Sequence, residues 1–270
     1  MTLFDPPVGE PTPLDPASTV RVRATVAYQG AGFRGFAAQP AQRTVGGALA
    51  EALARVLRHP VAITCAGRTD AGVHAWGQVI SFDAAAEPGG QPLDLVAVQR
   101  AVNKQLKAEV VIRDIAVAAP DFDARRSATE RRYRYTILNR AEPDPFLAST
   151  TWHVEAPLDL RVMQLACDPL IGEHDFSSFC RKPPDPDAVM VRRVRRADWK
   201  RLDGDLFRFD VDASAFCHQM VRSVVGTMVA MGTGRKKAGD MAWILRARDR
   251  ALTSGPAPSH GLCLWEVRYE

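Results

Sequence analysis

VAITCAGRTDAGVHAWGQVISF, residues 61–82, holds two strand-like runs, Val61 to Cys65 and Gln78 to Phe82, around a loop crowded with glycine and polar side chains. β-Branched and aromatic residues suit a pleated, half-buried surface, so both runs predict strands. Between them Asp70 is flanked by Gly67 and Gly72. Glycine lets the backbone turn sharply and lets a ligand come close, which places this carboxylate on a tight loop between two strands. Arg68, two residues earlier, suits a carboxylate that serves as nucleophile or general base better than one that serves as acid. Taken alone, the same string equally describes a structural turn carrying an Asp–Arg surface pair.

The mixture extends outward on both sides. Val20 to Tyr28 alternates and predicts a strand, and Thr44 can cap a helix running to Leu57 with Leu49, Leu53, Val56 and Leu57 on one face. A helix is expected over Leu93 to Leu106 and a strand over Val110 to Ala118. Downstream, Arg131 to Leu138 predicts a strand and Leu160 to Leu170 a helix starting at Asp159. Val191 to Arg201 and Leu206 to Val211 suit a hairpin through Asp203-Gly204. A long helix from Ser214 to Met231 and a strand from Leu262 to Val267 complete the pattern. Strands and helices mixed in both halves predict an α+β chain of two domains, 20–122 and 123–270, each an antiparallel or mixed sheet with helices on one side. Residues 1–19 hold five prolines, three acids and no base, and read as a disordered leader.

Composition narrows the classes. The chain has 270 residues, 46% hydrophobic and 24% charged, with a formal net charge of +4. That apolar content excludes a disordered or collagen-like chain. The longest run free of Asp, Glu, Lys and Arg, Ala251 to Trp265, contains two prolines and is too short to span a bilayer. No apolar block precedes the first basic residue, Arg21, so no secretory signal is expected. Cys65, Cys167, Cys180, Cys217 and Cys263 are scattered without a CxxC pair, which predicts reduced thiols, no structural zinc and a cytoplasmic location. Arginine supplies 29 of the 35 cations. Guanidinium groups fork onto phosphates and stack on bases, so the excess suits RNA, although a codon bias explains it as well. Two basic stretches stand out as expected phosphate contacts: Arg125 to Arg134, and Arg181 to Arg201.

Gly67-Arg68-Thr69-Asp70-Ala71-Gly72-Val73-His74 resembles the catalytic motif of the tRNA pseudouridine synthase A family. The resemblance continues through Phe122 to Arg125 with Arg131-Arg132-Tyr133-Arg134-Tyr135, through Leu170 to Phe176, and through Phe216-Cys217-His218-Gln219-Met220-Val221-Arg222 to Gly226. It departs at Gly35-Phe36, where the family usually has Gly-Trp, and at Gly46, where it usually has Gln. The resemblance implies two ferredoxin-like or RRM-like domains with a catalytic cleft between them. It implies an isomerase that converts uridine to pseudouridine at positions 38, 39 and 40 of the tRNA anticodon stem-loop, by base flipping and without metal or cofactor. It places the nucleophile at Asp70, the residue that orients it at Arg222, the base-stacking ring at Tyr133 and the nucleotide-extruding cation at Arg68. A homodimer that grips one tRNA is implied too. His74, His174 and Asp175 read as structural, and His218 as structural or as a backbone contact to RNA.

Two other functions fit parts of the chain. A non-catalytic RNA-binding module would have no need of the Asp70, Arg68, Tyr133 and Arg222 constellation. A retaining glycoside hydrolase also attacks an anomeric carbon, but it needs a second carboxylate about 5 Å away, and no motif supplies one.

Overall fold

A computed structural model describes residues 18–182, 185 and 188–270; most of the expected leader, residues 1–17, lies outside them. The alternating N-terminal run forms β1 (Thr19–Tyr28), with Val22, Ala24 and Val26 fully buried. The Thr44 side chain accepts the Gly47 N–H and starts α1 (Val45–Leu57), which sends Leu49 and Leu53 into the core. Then come β2 (Thr64–Cys65), β3 (His74–Ala85), α2 (Leu95–Leu106) capped by Asp94, and β4 (Val110–Val117). β2 is shorter than expected, since only Thr64 and Cys65 find partners, at Ser81 and Ile80 of β3.

The second half supplies β5 (Glu130–Leu138), β6 (Trp152–His153), α3 (Leu160–Leu165) capped by Asp159, and β7 (Gly172–Asp175). The α3 segment stops early, and a 3-10 turn at Asp168–Leu170 replaces its last turn, where Pro169 offers no amide to a continued helix. β8 (Val191–Arg201) and β9 (Leu206–Ala213) form the expected hairpin, with Gly204 at φ +68° in the turn. α4 (Met220–Gly232), α5 (Asp240–Ala247) and β10 (Leu262–Arg268) follow. α4 begins six residues later than expected. Residues 214–219 stay outside it because their backbone groups are engaged elsewhere: the Ser214 N–H donates to the Arg193 carbonyl, and the His218 carbonyl accepts from the Arg181 N–H.

The two expected sheets are one continuous sheet in the order β4-β1-β3-β10-β5-β9-β8-β7, with β2 added to β3 and β6 to β5. β10 makes the join, parallel to β3 and antiparallel to β5. Directly paired residues share a face of a sheet. One row therefore runs across both halves: Tyr28, Ala75, Leu264, Tyr133, Val211 and Ala197, all buried. Residues of α1, α2, α4 and α5 join this face in a single core. The opposite face carries Arg132 against Asp212 and Arg134 against Asp210. The expectation of five reduced thiols is corrected for one pair. Cys180 and Cys217, 37 residues apart in sequence, are joined as a disulfide between the turn after β7 and the loop before α4. Their spacing carried no sign of it.

Gly226 marks where α4 meets the segment before β10. A Cβ there would run into the Gly255 carbonyl. Gly226→Ala should therefore destabilise the fold by about 1 to 3 kcal/mol through overpacking, read from urea unfolding. An unfolding midpoint equal to that of the parent chain would show that the close approach is not a constraint.

Candidate active site

The Asp70 loop leaves the sheet at a fork. One edge of β3 pairs with β10 at His74 and Ala75 and with β2 at Ile80 and Ser81, and residues 66–73 run between the two. Gly72 takes φ +79°, a backbone conformation that other residues adopt only under strain, and lies against the Ser259 side chain. Below the loop, fully buried Gln78 brackets Gly67: its Nε2 donates to the Gly67 carbonyl at 2.7 Å, and its Oε1 accepts the Gly67 N–H at 3.4 Å. The Tyr28 hydroxyl meets Thr69 Oγ1 at 2.7 Å, and the Phe36 N–H donates to the Thr69 carbonyl at 3.1 Å. A Gln at the start of the strand-like run Gln78 to Phe82 was the sequence signal for this support, and the strand pattern alone gave it no role.

His74 braces the loop, as expected. Its Nδ1 accepts the Gly30 N–H at 3.0 Å, so Nε2 carries the proton, lying 2.9 Å from the Ser149 carbonyl and 3.0 Å from that of His260. Burial holds its pKa below the usual imidazole value of 6.5.

Asp70 is held by α4 and the segment that precedes it. Arg222 Nη1 lies 3.1 Å from Oδ2, and His218 Nε2 lies 3.2 Å from Oδ1. Arg222 is anchored in its turn, donating from Nε to the Ala257 carbonyl at 2.7 Å and accepting the Ala257 N–H on its own carbonyl. The sequence placed His218 and Arg222 on one helical face; instead His218 precedes the helix. Gln219, at φ +66°, redirects the chain between them, and its Oε1 accepts from Arg250. Strained backbone of this kind is stored where geometry must be fixed. The bond to Asp70 gives His218 a structural part in holding the carboxylate, in line with the structural reading of that residue. Tyr133 is buried with its ring edge-on to Phe216 at 4.9 Å, and burial together with the Asp70 charge pushes its hydroxyl pKa well up. Arg68 reaches outward and makes no ion pair or hydrogen bond among the described residues, so the Asp70–Arg68 pair read from the sequence does not form. Beside the loop an open groove of about 820 Å³ is lined by Phe33, Arg34, Arg43, Ala71, Gly72 and Ser259.

The two basic stretches are largely engaged within the protein. In the first, Arg132 binds Asp212 and Glu266, and Arg134 binds Asp210. Arg131 is buried, donating to the carbonyls of Ala66, Ala128, Ser214 and Arg125. In the second, Arg193 pairs with Glu173, Arg195 with Glu130, Arg196 with Asp198 and Arg201 with Asp205, while Arg192 donates to the carbonyls of Val189 and Val191. Strand pairing set the acids of β9 and β10 opposite Arg132 and Arg134, which a count along the chain does not reveal.

A family model described as tRNA pseudouridine synthase matches residues 24–125 and 166–270. The chain belongs to that family. Relatives named tRNA pseudouridine synthase A include one from Frankia casuarinae, 45% identical over 256 residues, covering 93% of this chain and 89% of the relative. Another from Dechloromonas aromatica is 42% identical, covering 93% of each chain. A third from a Geobacillus species is 38% identical, covering 93% of this chain and 98% of the relative. As a tRNA pseudouridine synthase, the protein is an isomerase that makes pseudouridine from uridine. Gly46 and Phe36 meet in space: the Gly46 N–H donates to the Phe36 carbonyl at 2.8 Å, and a Cβ at Gly46 would lie 2.6 Å from that oxygen. The backbone that carries Phe36 therefore leaves no room for a side chain at 46.

The neutral, buried His74 gives a pH signature. The unfolded chain takes up a proton below 6.5 that the folded one resists, so stability should fall as pH drops through that region. Urea unfolding at pH 7.5 and 5.5 should show this loss in the parent and a smaller loss in His74→Asn. Equal losses would mean that His74 is not held neutral by the fold.

Proposed function

We propose that this synthase acts on uridines 38, 39 and 40 of the tRNA anticodon stem-loop, with Asp70 as its nucleophile and without a cofactor. One observation carries the nucleophile: a carboxylate gripped by two cation-forming side chains at the junction of loop, sheet and cleft helix. Its two oxygens are held unequally. Oδ2 is fixed by Arg222, whose side chain is 16% exposed and anchored on Ala257, while Oδ1 meets His218, which is 47% exposed. Oδ1 is therefore the oxygen free to exchange its partner for the ribose C1′.

The net reaction exchanges the N1–C1′ bond for a C5–C1′ bond and moves one proton from C5 to N1. A transient Asp70 Oδ1–C1′ bond forms as N1 leaves and breaks as C5 attacks. The N1–C1′ bond breaks, the base turns within the cleft, C5 bonds to C1′, and the C5 proton leaves while N1 gains one. Atoms and electrons balance without an oxidant or an added group. Tyr133 offers an aromatic wall to a base turned out of its stem, since a base cannot be reached while stacked. Arg68 projects from the same loop as Asp70 and fills the vacated space. A second copy of the chain completes the grip on tRNA in this reading. A hydrolase would share the attack on C1′ but release free uracil.

Release of tritium from tRNA labelled at uridine C5 tests the reading directly. Asp70→Asn should fold and bind tRNA within a few-fold of the parent while its turnover falls by roughly 10⁴-fold. Turnover at a tenth of the parent rate would remove Asp70 from the nucleophile's place. Tyr133→Phe should keep tRNA affinity, whereas Tyr133→Ala should weaken binding by about 1 to 3 kcal/mol through the lost stack. Identical affinities for the two variants would exclude stacking.

A further inference from the structure

Several arginines and one lysine without an ion pair among the described residues lie on segments that are bonded to the Asp70 loop or to His218. Arg68 lies on its loop. Arg125 and Arg126 are exposed, and Arg131 Nη2 donates at once to the Arg125 carbonyl and to the Ala66 carbonyl beside the loop. Arg181 and Lys182 are exposed, and the Arg181 N–H holds the carbonyl of His218. Arg34 is exposed two residues before Phe36, whose N–H binds Thr69. None of the six forms an ion pair among the described residues. By contrast, the far face of the sheet is a lattice of matched charges: Arg132, Arg134, Arg195, Arg208 and Arg268 all meet Asp210, Asp212, Glu130 or Glu266.

We infer that Arg125 and Arg126 on one side of Asp70, with Arg181 and Lys182 on the other, are the phosphate clamp for the RNA backbone flanking the target nucleotide. The sequence's densest basic run, Val191 to Arg201, takes no part. This rests on the functional reading above and adds the surface that reads the substrate. An arginine already paired to a carboxylate contributes little net charge to a polyanion, whereas an unpaired one releases counterions from the RNA when it docks. The Arg131 guanidinium, bonded to the Arg125 and Ala66 carbonyls, and the main-chain bond from Arg181 to His218 fix the two pairs relative to Asp70. The clamp therefore sets register as well as affinity, as phosphate contacts generally do.

The test is the slope of log K against log salt for the intact protein binding tRNA that it has already converted. Arg125→Gln/Arg126→Gln and, separately, Arg181→Gln/Lys182→Gln should each make the slope shallower by about 1.4 to 1.8, the release expected for two phosphates. Arg193→Gln/Arg195→Gln, which removes cations from the basic run, should leave slope and turnover unchanged. An unchanged slope in both rim pairs overturns the clamp, as does an equal loss in the control pair. A loss in only one rim pair overturns its two-sided form. If the parent protein makes no pseudouridine at all, the functional reading fails; if it does and the rim pairs bind like the parent, only the clamp fails. Thermal unfolding of each variant separates a lost contact from a lost fold.

Discussion

The site depends on a buried cation without a carboxylate. Arg131 sits behind Tyr133 on β5 and spreads its guanidinium over the carbonyls of Ala66, Ala128, Ser214 and Arg125, with burial drawing its pKa down. Ala66 opens the Asp70 loop, and Ser214 opens the segment that delivers His218 and Arg222. A guanidinium taken out of water is tolerated only when its N–H groups find acceptors. These carbonyls in turn lie where no strand partner serves them. Each need answers the other, and the result ties the loop that carries Asp70 to the segment that holds it. A neutral replacement would leave several carbonyls unpaired at once, each at a cost of about 1 to 3 kcal/mol.

The same economy of charge explains the Arg-rich composition. On the far face of the sheet, cross-strand pairing sets Arg134 opposite Asp210 and Arg132 opposite Asp212, so β5 and β9 neutralise each other across the ladder. Trp76 and Trp265 stack at 5.9 Å on that face, with Arg113 over the first ring and Arg134 over the second. Such contacts suit a surface that must be wet without being sticky. Arginine thus performs two separate tasks, lattice and rim.

What could be read from the sequence followed from what local pattern encodes. β1, the capped α1 and the β8–β9 hairpin were legible because alternation, a Thr cap and an Asp-Gly turn act within a few residues. Asp70 was legible as a loop carboxylate between glycines, but its partners were not, since Arg222 and His218 lie about 150 residues away and only the family resemblance pointed to Arg222. His218 was misread because helix periodicity was carried into residues 214–219, where tertiary bonds from Arg131, Arg193 and Arg181 take the backbone. The single sheet was hidden for a related reason: the parallel pairing of β10 with β3 rests on Cys263 with His74 and Leu264 with Ala75, too little to mark either strand.

That brief pairing has a consequence for how the molecule comes into being. β10 follows every other strand in the chain yet lies at the centre of the sheet, and His74 waits for a carbonyl 186 residues further on. During synthesis the earlier half can order β1, β3, β4 and their helices, but β3 keeps an open edge at the very spot where the Asp70 loop emerges. Closing so long a loop late is slow, and an open edge invites foreign strands. The edge of β3 beside the Asp70 loop is therefore completed only once β10 has docked, and a nascent chain can hold the Asp70 motif complete while that edge is still open.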